Sequence, residues 1–199
     1  MKLILASNNA HKLREFTEIL SPLGIEIISQ SAAGCHFEVD ETGTTFEENA
    51  YLKAAAVTEA TGLPAVADDS GLAVDALNGE PGIYSARYTG NHEDTDRDRN
   101  NYLLEKMNGV EIRTARFVSC ISCTFPNGDR IDTRGECEGE IMHGVSGENG
   151  FGYDPLFCPM GYDRSMGELS ADEKNSISHR GKSLMKFYEK LKEYLNDHN

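Results

Sequence analysis

Leu3-Ile4-Leu5-Ala6, then Ser7-Asn8-Asn9, then Leu13, Phe16, Ile19 and Leu20 at helical spacing, then Pro22 and Gly24, then Ile25-Glu26-Ile27-Ile28: the first 28 residues decide the fold class. The first apolar run predicts a buried strand. The spaced apolar residues predict a helix with one buried face, stopped by proline and glycine. The next apolar run predicts a second strand. Strand, helix and strand in that order are the opening of an α/β unit.

Working outward, Thr44 with Glu47, or Thr45 with Glu48, makes a capping box, so a helix begins here. It runs through Ala54-Ala55-Ala56 and ends at Gly62-Leu63-Pro64. Ala65-Val66-Ala67-Asp68-Asp69-Ser70-Gly71 then predicts an apolar strand ending in two carboxylates, followed by another strand from Leu72 to Ala76. Asp94 to Met107 predicts a helix, with the acidic run from His92 to Asp98 as its solvated start. Two long strands follow, Thr114 to Phe125 and Arg130 to Ile141, joined at Asn127-Gly128, a strong hairpin signal. His143 to Gly152 is glycine-rich and predicts irregular chain. Ser170 with Glu173 is another capping box, and the last helix carries Leu184, Phe187, Leu191 and Leu195. The expected fold is α/β, a mixed sheet flanked by helices.

At 199 residues the chain predicts one domain, or one two-lobed unit, able to bury its own core. A net charge of −14 argues against duplex nucleic acid or an anionic membrane as partner. It leaves room for a small anionic ligand, provided a few cations gather in one place. The five cysteines show no framework spacing, and Cys120 and Cys123, three apart on a strand, point to opposite faces. Free thiols and a reducing cytoplasm are expected. The amino terminus is too short an apolar run for a signal peptide, and no stretch is long enough for a membrane helix.

Five segments hold polar groups that packing does not require. Asp68-Asp69-Ser70-Gly71 reads either as a Mg²⁺ platform or as a polar turn. Ser7-Asn8-Asn9-Ala10-His11-Lys12 joins a strand to a helix amino terminus, where free amides and a lysine form an anion site; an N-cap with a surface lysine is the plainer reading. Glu41 is a candidate to join Asp69 on a metal and Lys53 to reach a phosphate, against solvated helix charges. In Gly150-Phe151-Gly152-Tyr153-Asp154, an aromatic between glycines can meet a flat base and Asp154 can accept from a base N–H; the alternative is a tight turn with Phe151 in the core. Glu173 to Lys182, with Ser178, His179 and Arg180, concentrates donors at a helix start; the plainer reading is a helix cap with surface cations. Together, and all at element ends, these segments favour a nucleotide-handling enzyme.

The ordered set, from Leu3 to about Lys186, resembles the ITPase-like family of non-standard purine nucleoside-triphosphate pyrophosphatases, also called Ham1-like proteins or dITP/XTP pyrophosphatases. Ser7–Lys12 is similar to its opening loop, Glu41–Phe46 with Glu48-Asn49-Ala50 and Lys53 to its second motif, and Ala67–Leu72 and Pro81–Tyr88 to its acidic core and following loop. Phe151–Pro155 and Ser178–Gly181 complete the set. Ser7 and Asn8 stand where many members have Thr and Gly. The resemblance implies an ITPase-like, anticodon-type α/β fold with two lobes and an active-site cleft between them. It implies hydrolysis of ITP, dITP or XTP to monophosphate and pyrophosphate, Mg²⁺ as cofactor, and a homodimer. Glu41 and Asp69 would hold Mg²⁺, and Asp69 as base, Asp68 as an auxiliary carboxylate and Lys12 would be the catalytic residues. Ser7, Asn8, Asn9, Ala10, His11, Lys12 and Lys53 would bind the phosphates. Ser70, Phe151, Gly152, Tyr153, Asp154, Lys174, Ser178, His179 and Arg180 would complete the substrate site. A Maf-like pyrophosphatase, which would lack the Phe151 and Ser178–Arg180 sets, and a non-catalytic nucleotide sensor are the competing expectations.

Overall fold

The computed structural model describes residues 1–91 and 93–198. Strands β1 (Lys2–Leu5), β2 (Glu26–Ser29), β3 (Ala65–Val74), β4 (Thr114–Thr124), β5 (Arg130–Ile141) and β6 (Phe157–Pro159) form one sheet in the order β2-β1-β3-β4-β5-β6. β1 pairs in parallel with β2 and β3, and β5 pairs antiparallel with β6, so the sheet is mixed. The helices are α1 (Ala10–Leu20), α2 (Phe46–Thr61), α3 (Asp96–Lys106), α4 (Ala171–Ile177) and α5 (His179–Asp197). The expected α/β class holds.

The chain forms two compact units. The first comprises Met1–Asp69, Ser119–Gly135 and the chain from Lys182 on; the second comprises Ser70–Val118 and Glu136–Gly181. β3, β4 and β5 each pass from one unit to the other along their length. In the first unit, Leu3, Leu5 and Val66 meet Phe16 and Leu20 of α1 and Leu184, Phe187 and Leu191 of α5. Ile4, Ala6, Ala65 and Ala67 meet Ala54 and Val57 of α2. Alternate residues of β1 and β3 thus face different helices, as the period of two along a strand requires. In the second unit Leu72, Val74, Leu103, Phe117, Ile141, Leu156 and Phe157 share a core with Met166 and Leu169.

Two expectations are corrected. Asp68 to Gly71 is neither a strand end nor a turn: β3 runs unbroken for ten residues, and the separate strand from Leu72 is its second half. Turn propensity is local and loses to ladder bonds and to a lysine partner for each carboxylate. β6 was not legible. Three residues carry no period, and its place depends on Gly139 of β5, where a Cβ would lie 2.2 Å from the Cys158 carbonyl oxygen. The Asn127-Gly128 hairpin is present, with the Phe125 amide donating to the Asp129 carbonyl oxygen across it. All five cysteines are free thiols. Cys123 lies in the α1–α5 core while the Cys120 Sγ lies 3.9 Å from Arg134, so the pair diverges. Of the run from His92 to Asp98, His92 lies outside the described residues. The rest opens α3, whose first turn is capped by Thr95 and Asp98.

Phe187 is fully buried in the first unit and Met185 is 54% exposed on the same helix. Phe187→Ala is expected to lower stability by about 3–5 kcal/mol in chemical denaturation. Met185→Ala should change it by less than about 0.5 kcal/mol.

Candidate active site

The first unit carries the charged cluster. Asp68 and Asp69 are neighbours on β3, so their side chains leave opposite faces of the strand. Asp68 shares its face with Val66 and meets α1: its Oδ1 lies 2.6 Å from Lys12 Nζ. Asp69 shares its face with Ala65 and Ala67 and meets α2: its Oδ1 lies 2.8 Å from Lys53 Nζ. The same Nζ lies 2.8 Å from Glu41 Oε1. Asp68 is therefore held apart from the Glu41–Asp69 pair, and the two adjacent aspartates do not form one platform. Glu41 and Asp69 do converge, and what they share is a cation.

Local chemistry places both lysines. Asn9 caps α1 by accepting from the amides of His11 and Lys12 at 2.9 and 3.2 Å. This setting fixes Lys12 in the first turn, but it also uses two of the amides expected to be free for an anion. Ser7 Oγ accepts from the Asn9 amide, and Asn8 Oδ1 accepts from the Ser31 amide. Asn8 has no positive φ, so replacing the common glycine there brings no strain. Ala10 and His11 are exposed at the helix start. α2 begins with Thr45 Oγ1 accepting from the Glu48 amide, while the Glu48 carboxylate reaches back to the Thr44 amide and hydroxyl. Glu47 instead pairs with Arg134. One turn on, buried Asn49 accepts from the Gly43 amide at 2.9 Å, tying the loop that carries Glu41 to the helix that carries Lys53. This tie was not anticipated; an asparagine on the buried face of an alanine-rich helix is the sequence signal for it.

Burial raises the Asp69 pKa and outweighs the Lys53 ammonium beside it; the Glu41 and Asp68 charges push the same way as burial. Burial alone would lower Lys53, but Asp69 and Glu41 together hold it above the ordinary lysine value. Asp69 Oδ2 is buried and accepts no hydrogen bond from the protein. A carboxylate oxygen without a donor, beside a second carboxylate and one shared ammonium, fits a further cation or a water. Among the described residues no group of three or more His, Cys, Asp or Glu is placed to hold a metal by itself. Hard divalent cations take oxygen ligands of this kind.

The second unit carries the aromatic cluster. Phe151 is 59% exposed, so the core position allowed for it is ruled out. Lys174 Nζ lies 4.5 Å and the Arg180 guanidinium 5.9 Å from its ring centroid. Asp154 is buried and already engaged: its Oδ2 accepts from the Phe151 amide at 2.8 Å and pairs with Lys174 at 2.6 Å. It shapes the loop, and the expected bond to a base N–H would have to be added to these. A Cβ at Gly150 would lie 2.1 Å from that oxygen, which explains the glycine. The Tyr153 hydroxyl donates to the Ser85 carbonyl oxygen in the core. Ser178 Oγ accepts from the Gly181 amide. His179 is buried, its ring stacked on Phe117 at 4.9 Å. Arg180 Nη2 donates to Ser70 Oγ at 3.4 Å.

The profile of the Ham1 family matches residues 3–190. The chain belongs to the Ham1 family. Among Ham1 relatives, a dITP/XTP pyrophosphatase of Exiguobacterium sp. is 50% identical over 186 residues, 94% of each chain. A dITP/XTP pyrophosphatase of Deinococcus deserti is 49% identical over 183 residues, 92% of this chain and 86% of that one. The structure of the Staphylococcus aureus Ham1 protein superposes with a TM-score of 0.92 at 42% identity, covering 98% of this chain and all of the other.

In the folded chain Asp69 ionises at a higher pH than in the unfolded chain, so the stability it contributes falls as pH rises through the carboxylate range. Asp69→Asn is expected to leave the thermal midpoint at pH 7 equal to or above that of the unaltered protein. The advantage should shrink as pH falls and Asp69 takes up its proton. A lower midpoint at pH 7 would mean that the pairing with Lys53 outweighs burial.

Proposed function

We propose that this Ham1 protein hydrolyses the triphosphates of non-standard purines, ITP, dITP and XTP, between the α and β phosphates, releasing a monophosphate and pyrophosphate. The observation that carries the chemistry is the pair Glu41 and Asp69 closing on one cation, with Asp69 Oδ2 buried and without a donor. The near-full-length identity to enzymes named dITP/XTP pyrophosphatase supports the substrate class.

Glu41 and Asp69 would hold Mg²⁺, which when bound neutralises phosphate charge as the anhydride breaks. Asp69, its basicity raised by burial, takes the proton of the attacking water. Lys53 has three N–H donors and spends two on Glu41 and Asp69, leaving one for a phosphate oxygen. Lys12 binds phosphate while Asp68 holds its ammonium in place. Ser7, Asn8 and Asn9 shape the strand-to-helix turn around them.

Phe151 offers an exposed ring to the purine, and Arg180 donates to its 6-oxo group. Adenine carries a donor at that position, and donor facing donor in a desolvated site can discriminate by about 10⁴. Asp69 and Ser70 are joined by one peptide bond, and Ser70 accepts from Arg180. Among the described residues no helix is long and apolar enough to cross a membrane. A cytoplasmic homodimer acting on free nucleotides, not on nucleic acid, completes this reading.

Product release from dITP, XTP, dATP and dGTP with Mg²⁺, assayed separately for pyrophosphate and orthophosphate, tests it. Pyrophosphate from dITP and XTP, with the other two nearly inert, is expected; orthophosphate would overturn the reaction type. Asp69→Asn should lower kcat by about 10² or more. Arg180→Ala should collapse the preference for dITP over dATP; an unchanged preference would remove Arg180 from base selection.

A further inference from the structure

Phe151 poses a physical problem that Asp154, which holds its amide, solves only in part. Its ring is largely exposed, so core packing does not hold it. Its neighbours Gly150 and Gly152 sit at φ +81° and +63°, a region that glycine enters freely and leaves freely. An exposed aromatic between two such residues costs considerable conformational entropy to keep in one place. A surface for stacking is useful only if it is already in place when the base arrives.

The missing constraint comes from α3. Asp96 Oδ2 accepts from the Gly152 amide at 2.6 Å, and Asn100 Nδ2 donates to the Gly152 carbonyl oxygen at 3.0 Å. Both backbone groups of one glycine are therefore gripped by side chains one helical turn apart. Asn100 is buried, and its Oδ1 finds no partner, so this buried amide keeps an unsatisfied acceptor while its donor serves Gly152. Asp96 is itself braced by Arg99. Thr95 and Asp98 secure the first turn of the helix through bonds to each other.

We propose that Asp96 and Asn100 are positioning residues for purine recognition: by clamping Gly152 they hold the Phe151 ring as a preorganised platform for the base. The proposal rests on the reading of Phe151 as that platform. It requires that loss of either clamp weaken binding of the base portion of the ligand and spare the phosphate portion.

Calorimetric binding of IMP and of pyrophosphate to the whole protein separates the two portions. Asp96→Ala and Asn100→Ala are each expected to weaken IMP by about tenfold, the scale of one lost stacking contact. Pyrophosphate binding should stay within about twofold, and Asp96→Asn, which keeps an acceptor for the Gly152 amide, should recover most of the IMP affinity. Asp98→Ala, which loosens the same helical turn but not the loop, should bind IMP as the unaltered protein does. In a Phe151→Ala background the clamp variants should add nothing further, as a shared pathway requires. If Phe151→Ala weakens IMP and the clamp variants do not, this inference fails and the platform stands. If Phe151→Ala leaves IMP unchanged, the platform reading fails and the clamp with it. Equal losses for IMP and pyrophosphate would reduce Asp96 and Asn100 to ordinary structural residues.

Discussion

The structure turns on two buried carboxylates that stand side by side on β3 and leave it in opposite directions. A strand sends successive side chains to opposite faces. A carboxylate taken out of water without a partner is heavily penalised. Asp68 and Asp69 therefore each require a cation, and the two cations must come from different sides of the sheet. Lys12 at the start of α1 and Lys53 in the middle of α2 meet that requirement. Helix register, loop length and cap position on each side are constrained to deliver an ammonium to one place. With Glu41 included, three carboxylates face two ammoniums, and the excess negative charge suits a further cation.

The two units solve the placement of functional groups by different physics. In the first, charges are fixed by one another: burial strengthens each ion pair and makes a displaced partner costly. In the second, the exposed Phe151 has no such partner, and its position is set through the backbone, by Asp154 at its own amide and by Asp96 and Asn100 at Gly152. Arg180 and Lys174 then lie over the ring, within cation–π range. A polar atom buried at low dielectric and an aromatic exposed to solvent each need a dedicated restraint. Asp69 Oδ2 is buried among these charges and accepts no hydrogen bond from the protein.

Much of this was legible because it is local. Caps at Asn9, Thr45 and Ser170, the end of α1 just ahead of Pro22 and Gly24, and the alternation of Arg130 to Ile141 depend on residues within a few positions of each other, and each appears where the sequence predicts it. The failures are equally physical. Asp68-Asp69-Ser70-Gly71 has turn chemistry, yet it continues a strand because its neighbours in the sheet and two distant lysines outweigh propensity. Asp154 also has a role the sequence did not show, since its Oδ2 accepts from the Phe151 amide and pairs with Lys174. Asp96 and Asn100 gave no signal, since an acidic helix start and a helical asparagine are common and their partner lies more than fifty residues away.

By itself the sequence determined the α/β class, most element boundaries and the short segments where chemistry collects, because capping, periodicity and motif order act over short range. Tertiary structure alone decided which carboxylate meets which lysine, that the adjacent aspartates part company, and that Asp69 ionises reluctantly. Those outcomes depend on burial and on side chains from distant segments, and neither strand faces nor solvent exposure are set until the sheet has formed.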